Sequence, residues 1–460
     1  MTLGVVTWQR LQLAALVGVV AALPFYRFGW SVGGQSLAPH EVALLVASVL
    51  AAAAWVVRTV GRRGQDMSGR GQDMSGRGKP RPYIGTVGAG LAPPGTTSAA
   101  SDLSVHGSIP PSWVAFDLPI VLFVASALLS LLATEYLRLS LRELRTLIVE
   151  PLLFWYLCRV TLRSTRDAAW LMGGLLAATT VVAVVGLVQQ VLGGAVTDVQ
   201  GVRRVLGTYT SPNHFALLLG RALPFLVALA WTVPRWRPWA ISGTVLCAGA
   251  LAATFSVGGW LATGLALLVV VGLLGGRRLV LALVVAGIIG AAVVLIAAPS
   301  ERLRGRLDPS QGTSFVRVQL WQAAGQLVAE SPLFGIGLDN FLYRYPALMP
   351  PGTPFEPNLS HPHNLVLQAW LQLGATGLAA FGWLLWRFVV FVWPIARAGN
   401  AGLEGALAVG ALGSMTDFVA HGLVDNSYFL PDMAVIFWLT LAVAATLHLA
   451  RSKNPAVSSP

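Results

Sequence analysis

The segment Ser360-His361-Pro362-His363-Asn364 carries two imidazoles either side of one proline, where a proline-rich polar loop runs into an apolar helix. That places a titratable, hydrogen-bonding group at a water–lipid boundary, where a lipid-linked substrate presents its reacting end. His363 suits removal of a proton from an acceptor hydroxyl. At a helix N-terminus the macrodipole disfavours imidazolium and keeps the ring neutral and basic. The other reading is a histidine that only caps the helix.

Further polar residues fall in apolar runs, where charge is expensive and points to function. Asn213, His214 and Arg221 lie in one run, and His214 and Arg221, seven apart, share a helix face. Arg221 either reaches phosphate in an outer cavity, or snorkels or pairs with a carboxylate from the apolar run at 403–424. Asp417, His421 and Asp425 repeat at four-residue spacing, as do Asn364, Gln368 and Gln372, so two polar stripes are expected to face a shared interior. The ends of the first stripe are about 12 Å apart along a helix axis, too far for one metal. Asp417 is expected to bond between helices and Asp425 to meet substrate or an arginine. Arg203 and Arg204 precede Gly207-Thr-Tyr-Thr-Ser-Pro-Asn213, and Arg317 opens an amphipathic stretch four residues before Trp321, on which it alternatively stacks. Arg302, Arg304 and Arg306 read as a solvated patch. Outward-facing arginines suit a pyrophosphate, since guanidinium gives bidentate donors and stays charged. A sugar on such a leaving group is already activated, so charge stabilisation matters more than a strong acid.

The elements that must hold these residues are membrane helices. Of 460 residues, 55% are hydrophobic and 11% charged, against about 25% charged in soluble domains. Twelve runs are long enough to span a bilayer, at 9–26, 40–58, 114–133, 143–160, 168–192, 212–232, 238–256, 259–275, 279–298, 363–393, 403–424 and 430–450. With both termini inside, the inner segments hold 19 of the 31 Lys and Arg residues, as the positive-inside rule requires. The net charge of +12 is then a topology signal. A nucleic-acid surface needs a basic soluble domain, and none is evident. Cys158 and Cys247 fall in expected spans, which argues against a disulfide framework or thiolate metal site.

The chain divides into spans one and two (1–58), a linker (59–113), spans three to nine (114–298), a large loop (299–362), spans ten to twelve (363–450) and a tail (451–460). The linker repeats Arg63-Gly-Gln-Asp-Met-Ser-Gly69 at 70–76 and is expected to be a disordered cytoplasmic segment. In the loop, Ser314 to Glu330 is expected to be a helix capped by Ser314, with Val318, Trp321 and Leu327 on its apolar side. Ser331-Pro332 stops it, Gly335 and Gly337 mark a turn, and the proline-rich remainder is expected to run extended, as a lid over the bundle.

Several motifs together resemble the O-antigen ligase/polymerase superfamily of bacterial membrane glycosyltransferases. They are Gly207-Thr-Tyr-Thr-Ser-Pro-Asn213, Arg317-Val-Gln-Leu-Trp321, Ser331-Pro-Leu-Phe-Gly-Ile-Gly-Leu338, His363-Asn-Leu-Val-Leu-Gln368 through Gly374-Ala-Thr-Gly-Leu378, and His421-Gly-Leu-Val-Asp425. The resemblance covers roughly 115–445. It implies an all-α, C-type glycosyltransferase-like integral membrane fold of twelve spans, with a large extracytoplasmic loop before span ten. It also implies transfer of a glycan from undecaprenyl pyrophosphate to a lipid, glycan or protein acceptor, with inversion and with no metal or cofactor. By position, Arg317 would hold pyrophosphate and His363 would activate the acceptor. Arg221, Arg203, Arg204, Asn213, His361, Asn364, His421 and Asp425 complete the expected substrate site. One departure is Val257, standing where the family often has arginine; Arg221, or Arg203 and Arg204, are expected to compensate. The rival from another class is a transporter or flippase of lipid-linked oligosaccharide. Transporters usually show repeated halves, and the large loop has no counterpart in the first half.

Overall fold

In hydrocarbon a segment must satisfy its own backbone hydrogen bonds, so long Leu, Val and Ala runs become helices. The computed structural model describes residues 2–32, 35–72, 111–193, 196–199, 202–297, 312–351, 359–398 and 402–453. The principal helices are α1 (Thr2–Ala22), α2 (Pro39–Gln72), α3 (Asp117–Ser130), α4 (Glu150–Thr161), α5 (Thr165–Leu192), α6 (Pro212–Thr232), α7 (Arg237–Ala253), α8 (Val257–Gly275), α9 (Arg277–Ala297), α10 (Gly312–Glu330), α11 (Leu365–Arg397), α12 (Leu403–Gly422) and α13 (Pro431–Lys453). Two antiparallel hairpins interrupt them: β1 (Trp30–Val32) with β2 (Gln35–Leu37), and β3 (Val196–Val199) with β4 (Val202–Val205).

Among the described residues, nine helices are long and apolar enough to cross a membrane, and they coincide with nine of the twelve expected runs. The run at 143–160 is divided into a π-helical turn (Leu144–Val149) and the short α4. The run at 238–256 becomes α7, of 17 residues. That at 279–298 falls in α9, whose last side chains lie outside the described residues. Helix α2 continues through the first heptad copy to Gln72, so the expected linker starts later than residue 59. Residues 73–110 lie outside the described part, as do Arg302, Arg304 and Arg306.

Helices α13, α6 and α12 form the centre: 89%, 78% and 72% of their most apolar stretches are buried. Helix α6 packs along α12, and α8 packs against both. Their contact needs Gly220, where a Cβ would lie 2.4 Å from an Asp417 carboxylate oxygen.

The segment 312–351 has its own small core of Leu320, Ala324, Leu327, Ile336, Phe341 and Tyr345. Helix α10 starts before Ser314, so that residue is not its cap. Leu320 and Leu327 face inward while Val318 is exposed, because the rest of the segment folds against one side of the helix. Pro346 sits in a 3-10 turn (Tyr345–Leu348) rather than extended chain, and 352–358 lies outside the described residues.

This unit is bolted to α11 through a break in that helix. Gly374 has φ 69°, and the backbone groups freed there are taken up by the turn after α10. The Ile336 amide donates to the Leu371 carbonyl (2.7 Å), the Ala375 amide to the Pro332 carbonyl (2.9 Å), and the Trp370 indole to the same carbonyl (2.8 Å). A Cβ on Gly374 would lie 1.9 Å from the Leu333 carbonyl oxygen. Gly374→Ala is therefore expected to cost about 3 kcal/mol or more, from strain plus overpacking. Thermal unfolding in detergent checks this, with Gly382→Ala, in open space on the same helix, expected to unfold like the wild type.

A second attachment joins the unit to the segment after α3. The Asn340 side chain accepts from the Glu135 and Tyr136 amides and donates to Thr134 and Ser140. Beside it Asp339, at φ 59°, faces Arg142 Nη2 at 3.4 Å. Burial, and then the Glu143 charge, push the Asp339 carboxyl up from 3.8 to about 7, against the pull of Arg142. A raised folded value means folding favours the protonated acid, so this contribution is complete below 3.8 and lost as pH rises through about 7. Amide exchange across 334–345, corrected for intrinsic rates, should quicken progressively from about pH 4 to about pH 7 and level off above that. Asp339→Asn should remove that quickening.

Candidate functional site

The N-terminus of α11 is built by Asn364, whose side chain accepts from the Val366 and Leu367 amides and donates to the Leu423 carbonyl. The cap is thus Asn364, and His363, one residue earlier, is released from that role. His363 holds φ 52°, an uncommon left-handed conformation for a residue with a Cβ. Its Nδ1 donates to Asp425 Oδ1 at 3.0 Å, and His361 Nε2 lies 3.7 Å from the same oxygen. An ionised carboxylate only accepts, so the proton of the short bond sits on His363 Nδ1; in the neutral form of the ring the lone pair is then on Nε2.

Asp425 is buried in the turn between α12 and α13, where the Asn426 amide also donates to Oδ1 (2.8 Å). Burial alone would raise its carboxyl. The hydrogen bonds from His361 and His363, with the charge of the rings, outweigh burial and hold it well below the carboxylate range. The loop between the histidines is pinned from outside by the Trp321 indole, which donates to the Pro362 carbonyl at 2.9 Å. Trp321 follows Arg317 by one helical turn, so this bond places the Arg317 helix beside the histidines. Among the described residues the cation–π pairs involve Arg221, Arg235 and Arg387, and Arg317 does not stack on Trp321.

A cavity of about 510 Å³ separates His361, His363 and Asp425 from the start of α6. Ser211 caps α6 by accepting from the Asn213 amide, with Pro212 at the first helical position. The Asn213 side-chain Oδ1 accepts from Arg204 Nη2 (2.7 Å), and Arg204 Nε donates to the Thr254 backbone carbonyl (2.7 Å). Burial lowers the Arg204 guanidinium from its ordinary value; the Asp425 carboxylate opposes that shift and the Arg317 charge adds to it. Arg204, Arg317 and Asp425 are thus electrostatic neighbours. Among the described residues no carboxylate pairs with Arg317 or Arg204.

Of the expected site residues, the structure gathers His361, His363, Asp425, Asn213, Arg204 and Arg317 around this region. It sends others elsewhere. Arg221 is buried two turns along α6, where Nη1 donates to Asp417 Oδ2 (2.5 Å) and Nη2 to Ser427 Oγ (2.6 Å). Its alternative role, pairing with a carboxylate, is the one the packing supports, and it does not reach the cavity. Asn364 is spent on capping. Arg203 is exposed, with its guanidinium near Gly193. His421 is buried against the start of α8, where a Cβ on Gly259 would lie 3.3 Å from its ring. The expected stripe of Asp417, His421 and Asp425 is broken because α12 ends at Gly422, which turns Asp425 away from the helix face. Gln368 and Gln372 are buried as expected.

Sequence reasoning passed over Asp432. It is fully buried in the first turn of α13, accepts from His214 Nε2 (2.9 Å) and the Tyr209 hydroxyl (3.0 Å), and thereby fixes the cavity's far wall. The Tyr26 hydroxyl, 3.4 Å from His214 Nδ1, completes that wall. A charge in the first turn of an otherwise apolar helix was its only signal.

No curated protein matches the chain. The O-antigen ligase family model matches residues 242–382, a stretch running from α7 to the middle of α11 that contains Arg317, His361 and His363. That match, over less than a third of the chain, makes this stretch similar to the O-antigen ligase family and supports the resemblance carried by the motifs.

Proposed function

We propose that the protein transfers a glycan from undecaprenyl pyrophosphate to an acceptor hydroxyl, on the outer face of the bacterial cytoplasmic membrane, during cell-surface polysaccharide synthesis. The observation that carries this reading is the 3.0 Å His363–Asp425 bond at a cavity, with the Arg204 and Arg317 charges as electrostatic neighbours of Asp425. Asp425 fixes the tautomer, His363 Nε2 takes the acceptor proton, and the acceptor oxygen attacks the anomeric carbon as the sugar–phosphate bond breaks, with inversion and without a metal. Arg317 and Arg204 hold the departing pyrophosphate, whose growing charge they stabilise. Arg204 donates to the Thr254 carbonyl at the turn into Val257, which supports it as the substitute for the arginine that the family often has there. Arg221, locked to Asp417, does not serve that purpose.

The acceptor is a lipid, glycan or protein, and one assay separates the cases. Purified protein is incubated with a polyprenyl-pyrophosphate oligosaccharide, and the products are resolved by size. Lengthened lipid-linked glycan identifies a polymerase, and transfer only after a separate acceptor is added identifies a ligase. Donor movement across liposomes without transfer to any acceptor would overturn the proposal in favour of a flippase. Arg317→Ala and Arg204→Ala are each expected to lower turnover by about 10²-fold, the scale of losing one stabilising donor.

A further inference from the structure

His361, His363 and Asp425 have a second chemistry available to them. Each offers one ligand atom, and the three atoms lie within 4.8 Å of one another. Two separations from Asp425 Oδ1 are 3.0 Å, to His363 Nδ1, and 3.7 Å, to His361 Nε2. Tetrahedral zinc with ligands at about 2.0–2.2 Å holds them roughly 3.4 Å apart. Two of the separations therefore bracket the requirement, and the widest pair needs to close by up to about 1.4 Å on binding. The rings already meet edge-on, with centroids 4.5 Å apart. The frame is preorganised from three directions: the Trp321 indole holds Pro362, the Asn426 amide holds the Asp425 carboxylate, and the Asn364 cap fixes the residue after His363.

We propose that these three side chains bind a borderline divalent cation, Zn²⁺ or Co²⁺, and that the bound cation inhibits transfer. Two imidazoles and one carboxylate form the donor set that suits zinc, cobalt and their neighbours rather than magnesium or calcium. Three protein ligands leave a fourth position for water or a substrate oxygen, and these side chains border the cavity of about 510 Å³. The cation takes the place of the Nδ1 proton in the His363–Asp425 hydrogen bond; the proton of the neutral ring then sits on Nε2, which can no longer accept one from the acceptor. The nearby Arg204 and Arg317 charges oppose a second cation, so one ion binds per chain. The inhibition rests on the reading of His363 as base; the cation binding does not.

The test uses the full-length protein in detergent, stripped of metal and titrated with Co²⁺ alone. The expected result is one equivalent of a visible ligand-field band, displaced by Zn²⁺, with affinity lowered at least 10-fold in His361→Ala and in Asp425→Asn. Zn²⁺ should also protect His361 and His363 of the unaltered protein from diethyl pyrocarbonate, read by peptide mass spectrometry, which needs no variant to fold. No band and no protection, or a band that both folded variants retain, overturns the site. Transfer should fall as the site fills and return with chelator. Binding with undiminished transfer overturns the inhibition alone. Binding by a protein that transfers no glycan under any condition keeps the site and overturns the proposed function instead.

Discussion

Replacing His363 with alanine is expected to lower glycan transfer by about 10²–10⁴-fold, the range that general-base assistance supplies. Folding should survive the change. The N-cap of α11 belongs to Asn364, and the neighbouring loop is held by Trp321. The left-handed backbone at 363 suits alanine less well than histidine, so a small loss of stability is expected beside the loss of rate. The loss should fall on kcat, because the base acts on a proton that moves only in the transition state. His363→Gln tests the role more closely. Its amide can still donate to Asp425, yet it is no base, so it should be as slow as alanine. Added imidazole should restore part of the rate of His363→Ala if the missing function is proton transfer. Full activity in His363→Ala would remove the proposed chemistry. A loss confined to KM would recast His363 as a binding residue.

Arg221→Ala is expected to destabilise the protein by about 3–5 kcal/mol, since removing one partner strands a buried charge. Asp417 is fully buried and holds Arg221 on one oxygen and the Thr263 hydroxyl on the other. Neither residue lines the cavity of about 510 Å³, and Arg221 also packs over the Phe418 ring at 4.8 Å. The apolar double replacement Arg221→Met with Asp417→Leu should recover much of the loss, because desolvating the ion pair offsets most of its attraction. Denaturant or thermal unfolding in detergent distinguishes this from a substrate role. If Arg221 bound phosphate, Arg221→Ala would leave stability unchanged and weaken the donor, and the double variant would be no better.

The contrast between these two residues shows what a linear reading can carry. His363 was legible because its neighbours announce the environment: a proline-rich loop on one side, an apolar run on the other. Arg221 was equally conspicuous, but its partner lies almost two hundred residues away on α12, and chain periodicity does not say which face of α6 meets which helix. Asp425 misled for a local reason. Its four-residue spacing from His421 continues a helical stripe only if the helix continues, and α12 ends at Gly422. The apolar side of α10 was misjudged through Val318 because the core it faces is assembled from Ile336, Phe341 and Tyr345, none of which belongs to the helix itself.

By itself the sequence determined the membrane-helical class, nine of the spans among the described residues, the turn glycines after α10, and the histidine segment at the mouth of α11. These depend on hydropathy and on residues within a few positions of one another, which local physics settles. Only the tertiary structure decided that Asp425 pairs with His363, that Arg204 rather than Arg221 bonds to the cavity-lining Asn213, and that Asp432 builds the far wall. Each of those is a pairing of charges or donors across separate helices, and the free energy that selects it comes from burying both partners together.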